Sequence, residues 1–358
     1  MTESNWWIWN YIREEDSLNK LGLKLTTEQI EDLLSAFMEI FDNNWYNSFP
    51  EEKREGILNR QFRFNCGPYS LIWIIRLGEC LLNLRDINGF DNETVTRLRD
   101  KIQFQSVSIE LDYSSCFAQA GMDLELQPSL NSVKGDGKVI INENPIFYEI
   151  INQNPEGFQR KGREYSIEIW KFLKNRFGSR ETFIRFKKRN SDAEFKIDKL
   201  CNILESVNPP FNYEDKDLEI RIADENGGSR IEGYIMNREK NLETWIKRVH
   251  KKFKQLPSDA GGIIIANSSN IWDPQDIDVV LKTSWRETKE GQKSRIAGII
   301  FCVRQMLGVP SLSGEVVNFI SPLFLINPYS KFEYSKELEK MARIISLYPD
   351  WMKTELIE

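Results

Sequence analysis

The chain contains a single histidine, His250, and this scarcity excludes much of the usual hydrolytic chemistry. His250 lies in the basic run 247–254, where a solvated helix face is the expected role. A catalytic histidine generally needs a second side chain that orients it. The sequence therefore argues against histidine-dependent nucleases and against histidine-based zinc hydrolases.

Cysteine is also sparse. The five cysteines lie far apart in the sequence, and no two of them form a CxxC pair. Zinc sites use closely paired ligands, and disulfide frameworks belong to oxidising compartments. Reduced thiols, mostly buried, are therefore predicted at Cys66, Cys80, Cys116, Cys201 and Cys302.

Long apolar runs are lacking too: no stretch approaches the ~18 apolar residues of a membrane span. The first residues have neither the basic start nor the apolar stretch of a signal peptide. We therefore predict a cytoplasmic protein that does not act at a membrane.

The sequence has no GxxxxGK[ST] loop, no GxGxxG after a strand, and no GxSxG around Ser313. These absences argue against a phosphate-binding loop, a dinucleotide-binding turn and a hydrolase nucleophile.

The composition that is present is that of a globular protein, with 41% hydrophobic and 28% charged residues. At 358 residues the chain exceeds the size at which a single core usually stops growing. We expect a helical N-terminal region over residues 1–100 and an α/β domain over residues 101–358.

Positive charge is unevenly distributed although the formal net charge is −6. Residues 155–200 contain thirteen Lys or Arg against seven Asp or Glu. Such a segment is either a solvated face or a nucleic-acid footprint. Under the second interpretation, Arg185, Lys187 and Lys188 are candidate nucleic-acid contacts.

Hydrophobic spacing predicts helices before residue 100 and alternating helices and strands after it. A helix should begin after Thr26, and Gly227-Gly228 should form the turn of a hairpin. The run 261–266 is typical of a buried parallel strand. Further helices are predicted at 69–84, 105–120, 163–177, 193–204, 239–255, 274–283 and 335–347, and further strands at 122–126, 138–141, 146–151, 182–186, 218–222, 231–236, 297–303 and 316–326.

Two acidic residues of the predicted hairpin are candidates for chemistry. Opposite hairpin strands bring Asp136 and Glu149 into register, so that their carboxylates can lie side by side. Converging carboxylates favour a cation, and Mg²⁺ prefers such hard oxygen ligands. The alternative is structural: Asp136 caps a turn and Glu149 lies on a solvated strand end.

The order of these elements resembles the PD-(D/E)xK superfamily of restriction-endonuclease-like nucleases over about residues 100 to 325. The resemblance lies in a helix with Glu110, a strand after Gly121, and a hairpin with Asp136 and Glu149. It implies a mixed central sheet flanked by helices. It also implies that Asp136 and Glu149 bind Mg²⁺ as catalytic acids and that Glu110 is an accessory acid.

The chain departs from the family pattern at two positions. Gly135-Asp136 stands where the family has Pro-Asp, and Ile151 stands where it has the lysine of its motif. An aliphatic side chain cannot orient or polarise a water molecule. The replacement candidates, among which the spacing does not choose, are Lys134, Lys138, Lys161 and Gln153.

A second resemblance involves the run from Lys252 to Pro257 and the strand that begins at Gly261. In the family, a Lys- or Gln-bearing helix precedes a late sheet strand and can face the hairpin acids. Lys252 and Gln255 are therefore further candidates for the site or for nucleic-acid binding. A solvated basic helix face is the alternative.

Three functions remain open at this point. The first is a Mg²⁺-dependent nuclease that hydrolyses DNA or RNA phosphodiesters. The second is a catalytically inactive relative that binds nucleic acid or regulates a partner. The third is an interaction protein whose helical region 1–100 binds another polypeptide. Fold alone does not separate them, because one fold hosts several activities.

Overall fold

The computed structural model of the chain describes most of its regular elements. The described residues are 23–54, 68–130, 133–153, 169, 171–187, 193–227, 229–233, 246–252, 255–257, 260–268, 282–283, 285–286, 294–308, 316–351 and 353–356.

Helices dominate the first hundred described positions and recur between the strands. The first begins where Thr26 and Gln29 form a reciprocal capping box, as the sequence predicted. Residues 51–54, 171–177 and 246–252 are also helical. The helices are α1 (Thr27–Ile40), α2 (Asn43–Asn47), α3 (Pro68–Leu84), α4 (Asn92–Arg99), α5 (Phe104–Gln119), α6 (Ala193–Ser206) and α7 (Ser335–Leu347).

The strands form two larger sheets and one short ladder within the described residues. The predicted strands correspond to elements of the structure, whereas β2, β3, β7 and β13 were not predicted. The strands are β1 (Leu124–Leu126), β2 (Ser129–Leu130), β3 (Val133–Lys134), β4 (Gly137–Ile141), β5 (Asn144–Gln153), β6 (Arg180–Phe186), β7 (Phe211–Glu214), β8 (Leu218–Asn226), β9 (Ser229–Gly233), β10 (Gly262–Ser268), β11 (Ile296–Gly308), β12 (Val316–Ile326) and β13 (Lys353–Leu356).

The larger sheet is mixed and has the order β1-β4-β5-β10-β11-β12-β13. β10 pairs in parallel with both β5 and β11, as predicted for a buried parallel strand. The pairs β1–β4, β4–β5 and β11–β12 are antiparallel. The prediction of an α/β protein with a mixed central sheet is therefore confirmed.

The turn between β4 and β5 fixes the register of this hairpin. Its two central residues, Asn142 and Glu143, have φ angles of 52° and 68°. Positive φ at both positions matches the right-handed twist of the flanking strands. The resulting register pairs Ile141 with Asn144 and Gly137 with Tyr148.

The chain divides into two compact units, residues 1–153 with 248–358 and residues 154–247. The core of the first unit joins α1, α3, α5 and α7 to one face of the large sheet. Helices before and after residue 100, the predicted domain boundary, both contribute to this core. On the sheet side, Tyr148 is hydrogen-bonded to Ser114 of α5 at 2.8 Å.

A fully buried arginine connects two helices of this core. Arg76 of α3 donates to the carboxylate of Asp112 of α5 at 2.5 Å and also pairs with Glu79. Asp112 and Glu79 together compensate the guanidinium charge that would otherwise be buried alone. The apolar helix predicted at 69–84 therefore contains a satisfied internal ion-pair network around the two polar residues that interrupt it.

The second unit contains a sheet of order β7-β8-β6-β9, with α6 contributing Leu200 and Leu204 to its core. The predicted hairpin around Gly227-Gly228 is wrong, because β8 and β9 do not pair with each other. β6 lies between them, antiparallel to β8 and parallel to β9. β6, which comes earlier in the chain, thus lies at the edge of β8 where β9 would pair in a local hairpin.

The described cysteines are reduced thiols, as predicted. Cys80, Cys116 and Cys302 are buried and Cys201 is partly exposed, while Cys66 lies outside the described residues. In the part of the chain that the structure describes, no helix has the length and apolar character to cross a membrane.

Candidate active site

The two hairpin acids lie on the same face of the large sheet. Tyr148 points into the core beneath α5, so the next residue, Glu149, points to the opposite face. Gly137 pairs with Tyr148, and continuing this register by one residue brings Asp136 opposite Glu149. Gly137 itself has no room for a side chain, since an added Cβ would lie 2.1 Å from the Tyr148 ring.

Asp136 is held at the start of β4 by the backbone of the neighbouring strand. Its Oδ2 accepts a hydrogen bond of 2.6 Å from the Ile150 amide and one of 3.1 Å from Lys252 Nζ. The Asp136 side chain is 14% exposed. Its carboxylate is therefore fixed in direction while part of it stays open to solvent.

Glu149 is fully buried in the middle of β5, between β4 and β10. Its Oε2 accepts a hydrogen bond of 2.5 Å from Lys252 Nζ. Its Oε1 is buried and accepts no hydrogen bond from any described residue. An ionised carboxylate oxygen in this state is costly, and either a proton or a cation would satisfy it.

Lys252 reaches both acids from the helical stretch 246–252. Val249, one turn earlier, is buried and anchors the stretch. Arg248 donates a hydrogen bond of 2.7 Å to the Asn152 carbonyl near the end of β5. A solvated basic helix face was the alternative predicted for this segment. These two contacts explain why the helix instead places Lys252 against the sheet.

The electrostatics of the three groups follow from their burial and proximity. Burial, followed by the neighbouring Asp136 carboxylate, raises the pKa of Glu149 to about 8, against the opposing effect of Lys252. Burial acts to lower the pKa of Lys252, but Asp136 and Glu149 outweigh it and raise that pKa above its ordinary value. At neutral pH the ammonium group is therefore charged.

Glu110 of α5 is the third predicted acid, and it lies within electrostatic range of Asp136 and Lys252. Burial and the Asp136 carboxylate raise its pKa. Glu110 accepts hydrogen bonds from Arg97 at 2.9 Å and from Ser106 at 3.1 Å. The structure thus brings all three predicted acids to one region, with Glu110 held by Arg97 rather than by Lys252.

Arg97 was missed by the sequence analysis. It lies in the last turn of α4, where a basic residue also interacts favourably with the helix dipole. Its partner Glu110 is 13 residues away on another helix, so spacing along one helix gives no signal for the pair.

Lys134 and Lys138, two of the predicted replacements for a lysine at position 151, have partners other than the two hairpin acids. Ile151 is a buried apolar side chain. Lys134 is paired with Glu93 at 2.6 Å and Lys138 with Glu125 at 2.5 Å. Lys161 lies outside the described residues, as does the side chain of Gln153. Lys252 supplies the ammonium group instead.

Gln255 and the basic residues of the second unit have other surroundings. Oε1 of Gln255 is buried and accepts no hydrogen bond from a described residue. Arg185 pairs with Glu219 at 3.3 Å, and Lys187 pairs with Glu214 at 2.5 Å, both within one sheet. Lys188 lies outside the described residues. These ion pairs leave the two cations partly neutralised.

The donor set can be tested against a divalent ion. Among the residues that the structure describes, no group of three or more His, Cys, Asp or Glu side chains has the geometry of a metal site. Asp136 and Glu149 nevertheless supply two carboxylates on one face, and Glu149 Oε1 is left unsatisfied. Hard carboxylate oxygens suit Mg²⁺, which keeps several waters and needs few protein ligands. The pair therefore fits Mg²⁺.

Comparison of the chain with family models, with curated proteins and with solved structures finds no match.

Proposed function

We propose that the protein is a Mg²⁺-dependent nuclease of the PD-(D/E)xK, restriction-endonuclease-like type, which hydrolyses phosphodiesters of nucleic acid. The proposal rests on one observation: Lys252 Nζ lies within hydrogen-bond distance of Asp136 and Glu149, which adjacent strands present on one sheet face. Two acids and a lysine in this relation are the residue types that the family motif requires. The strands β1, β4, β5 and β10 around them lie side by side in one mixed sheet.

Each residue has a distinct task in the proposed reaction. Asp136 and Glu149 would hold Mg²⁺, each through a carboxylate oxygen. The bound ion supplies Lewis acidity, which lowers the pKa of water and stabilises negative charge on phosphate. Lys252, charged at neutral pH, orients the attacking water or the phosphate through its N–H groups. Ile151 cannot take this task.

Glu110 serves as the accessory acid of the proposal. Its carboxylate interacts electrostatically with Asp136 and Lys252 and is fixed by Arg97. Glu110 adds a third carboxylate that interacts with Asp136, which favours a divalent ion there. Arg97 gives the partly buried Glu110 carboxylate a counter-charge.

A cleavage assay tests the proposal. Supercoiled plasmid and labelled single-stranded DNA and RNA are incubated with the full chain and Mg²⁺ or Mn²⁺. We expect cleavage that EDTA abolishes, and we expect Asp136→Ala and Glu149→Ala each to lower the rate by about 10³-fold or more, as loss of a charge-stabilising group does. Lys252→Ala should lower the rate by about 10²-fold or more for the same reason.

Matched controls come from exposed neighbours of the same residue types. Asp123 lies just before β1 and Lys251 lies beside Lys252, and both are exposed. Asp123→Ala and Lys251→Ala should retain the wild-type rate. Cleavage that survives the changes at Asp136 and Glu149 refutes the assigned site, and failure to cleave every substrate class refutes the activity.

Binding without cleavage is a second candidate function, and one observation favours it. Lys252 already compensates both acids, so the cluster can be a stable ion pair without a metal. This alternative expects salt-sensitive binding of nucleic acid that needs no divalent ion. Arg185→Ala and Lys187→Ala should weaken that binding, whereas unchanged affinity in both variants contradicts it. Protein binding through residues 1–100 stays a prediction.

A further inference from the structure

A cavity of about 460 Å³ opens between the α3–α4 connection and the strands β1 and β4. Its volume lies within the range of small-molecule sites. Its lining includes Asn88, Gln127, Lys138 and the ring of Phe147. Phe147 is partly exposed, in contrast to the fully buried Tyr148 that follows it. The cavity thus offers an aromatic ring beside polar side chains.

Part of the cavity lining lies on the same face of the sheet as the candidate active site. Lys138 pairs with Glu125 of β1 on one side and with Phe147 of β5 on the other, so the three residues form a row across the sheet. Phe147 precedes Glu149 by two positions, and alternate residues of a strand share a face. Two positions along a strand span roughly 6.5 Å. That is about the length of one nucleotide in an extended single strand.

The charges of the cavity wall disfavour a second phosphate. Lys138 is neutralised by Glu125, and Lys134 is paired with Glu93. Asp91 also lines the cavity, so cationic and anionic side chains balance there. A phosphate would meet carboxylates as well as ammonium groups. A neutral ring with hydrogen-bonding edges meets no such opposition.

A nucleobase has these properties, because each base combines a π-face with polar edges. Bases of single strands stack on aromatic side chains, and every base can do so. Asn88 and Ser129 offer amide and hydroxyl groups at the cavity wall, whereas the Gln127 amide is already hydrogen-bonded to Thr94 and Lys134. A strand whose phosphate lies at Asp136 and Glu149 therefore has its neighbouring base within reach of Phe147.

We infer that this cavity binds a nucleobase of a single-stranded nucleic acid, which stacks on Phe147 beside the nucleotide that is cleaved. The inference rests on the proposed function and narrows its substrate to single strands or to duplexes with an unpaired base. Duplex bases cannot stack there without leaving their own stack.

The test compares the binding of strands with and without bases by proteins with and without the aromatic ring at position 147. Fluorescence anisotropy in Ca²⁺, a divalent ion that carboxylate oxygens also bind, measures the affinity of the full chain for a short oligothymidylate and for an abasic strand of equal length. Wild-type protein should bind the oligothymidylate at least about fivefold more tightly, as expected for base–aromatic stacking. Phe147→Leu should remove most of this preference and leave abasic-strand binding unchanged. Phe147→Trp, which keeps a π-face, should retain it.

Ile140 provides the matched control, since it is an exposed apolar residue of β4 outside the cavity lining. Ile140→Leu should bind both strands like wild-type protein. Three results overturn the inference. Phe147→Leu weakens the binding of both strands equally, it weakens the binding of neither, or wild-type protein shows no measurable binding. Cleavage plays no part in the assay. If the preference for the oligothymidylate depends on Phe147 but no substrate is cleaved, the cavity assignment stands and the nuclease activity is refuted. If substrate is cleaved but the preference does not depend on Phe147, the nuclease activity stands and the cavity assignment is refuted.

Discussion

Lys252 donates a hydrogen bond of 2.5 Å to Glu149, although 103 residues separate the two in the sequence. The same ammonium group is 3.1 Å from Asp136. One cation therefore balances two carboxylates that otherwise repel each other, and this balance makes stability sensitive to each of the three side chains.

Above about pH 8, where Glu149 is ionised, replacing Lys252 with glutamine should destabilise the metal-free protein by about 2 kcal/mol, because two partly desolvated carboxylates lose their counter-charge. Mg²⁺ should restore much of this loss, since the ion takes over the role of the ammonium. Urea unfolding followed by tryptophan fluorescence, in EDTA and in Mg²⁺, measures both effects. Lys251→Gln on the exposed side should change stability by no more than about 0.5 kcal/mol in either buffer.

The pH dependence of stability should report on Glu149. Its pKa rises from 4.5 to about 8 on folding because of burial and the nearby Asp136 carboxylate. The folded state then binds a proton at Glu149 more tightly than the unfolded state does. The stabilisation of the folded state that results is complete below pH 4.5 and is lost as pH rises through about 8.

In EDTA, the free energy of unfolding of wild-type protein relative to Glu149→Gln should therefore fall between acidic and mildly alkaline pH, by on the order of 3 kcal/mol. The matched series of urea titrations at several pH values measures the difference. A difference that stays constant, or that grows with rising pH, contradicts the assigned protonation behaviour.

The pairing of Asp136 with Glu149 was accessible from sequence because it is local. A hairpin of two β-rich runs with a short turn fixes which residues oppose each other. The face that they occupy also follows from alternation, once Tyr148 is assigned to the core. Helix starts such as that after Thr26 were predictable for the same reason, since capping involves neighbours in the chain.

Contacts between distant segments were not accessible in this way. Lys252 was predicted as a helix residue that can face the hairpin acids, but not as the replacement for the lysine at position 151, and its contact depends on how residues 246–252 pack on β5. The hairpin expected at Gly227-Gly228 failed for a related reason, because β6 pairs with both strands. Local pattern cannot show that an earlier strand enters between two later ones.

The β4–β5 turn offers a test of how the hairpin is held. Glu143 has a φ of 68°, a conformation that costs free energy for a residue with a side chain. Glu143→Gly should therefore stabilise the protein by about 0.5 to 1 kcal/mol, since Asn-Gly suits this turn. Glu143→Ala retains the strain and should give no gain. Thermal unfolding of both variants measures the difference, and an equal gain in both contradicts the turn assignment.

The proposed activity depends most directly on the ability of Asp136 and Glu149 to share a divalent ion. Isothermal titration calorimetry of Mn²⁺ into the full chain measures this without any substrate. We expect a binding event in wild-type protein and in Asp123→Asn, and its loss in the double variant Asp136→Asn, Glu149→Gln. Mn²⁺ binding that is unchanged in the double variant would contradict the assigned site, and so would a wild-type protein that binds no ion.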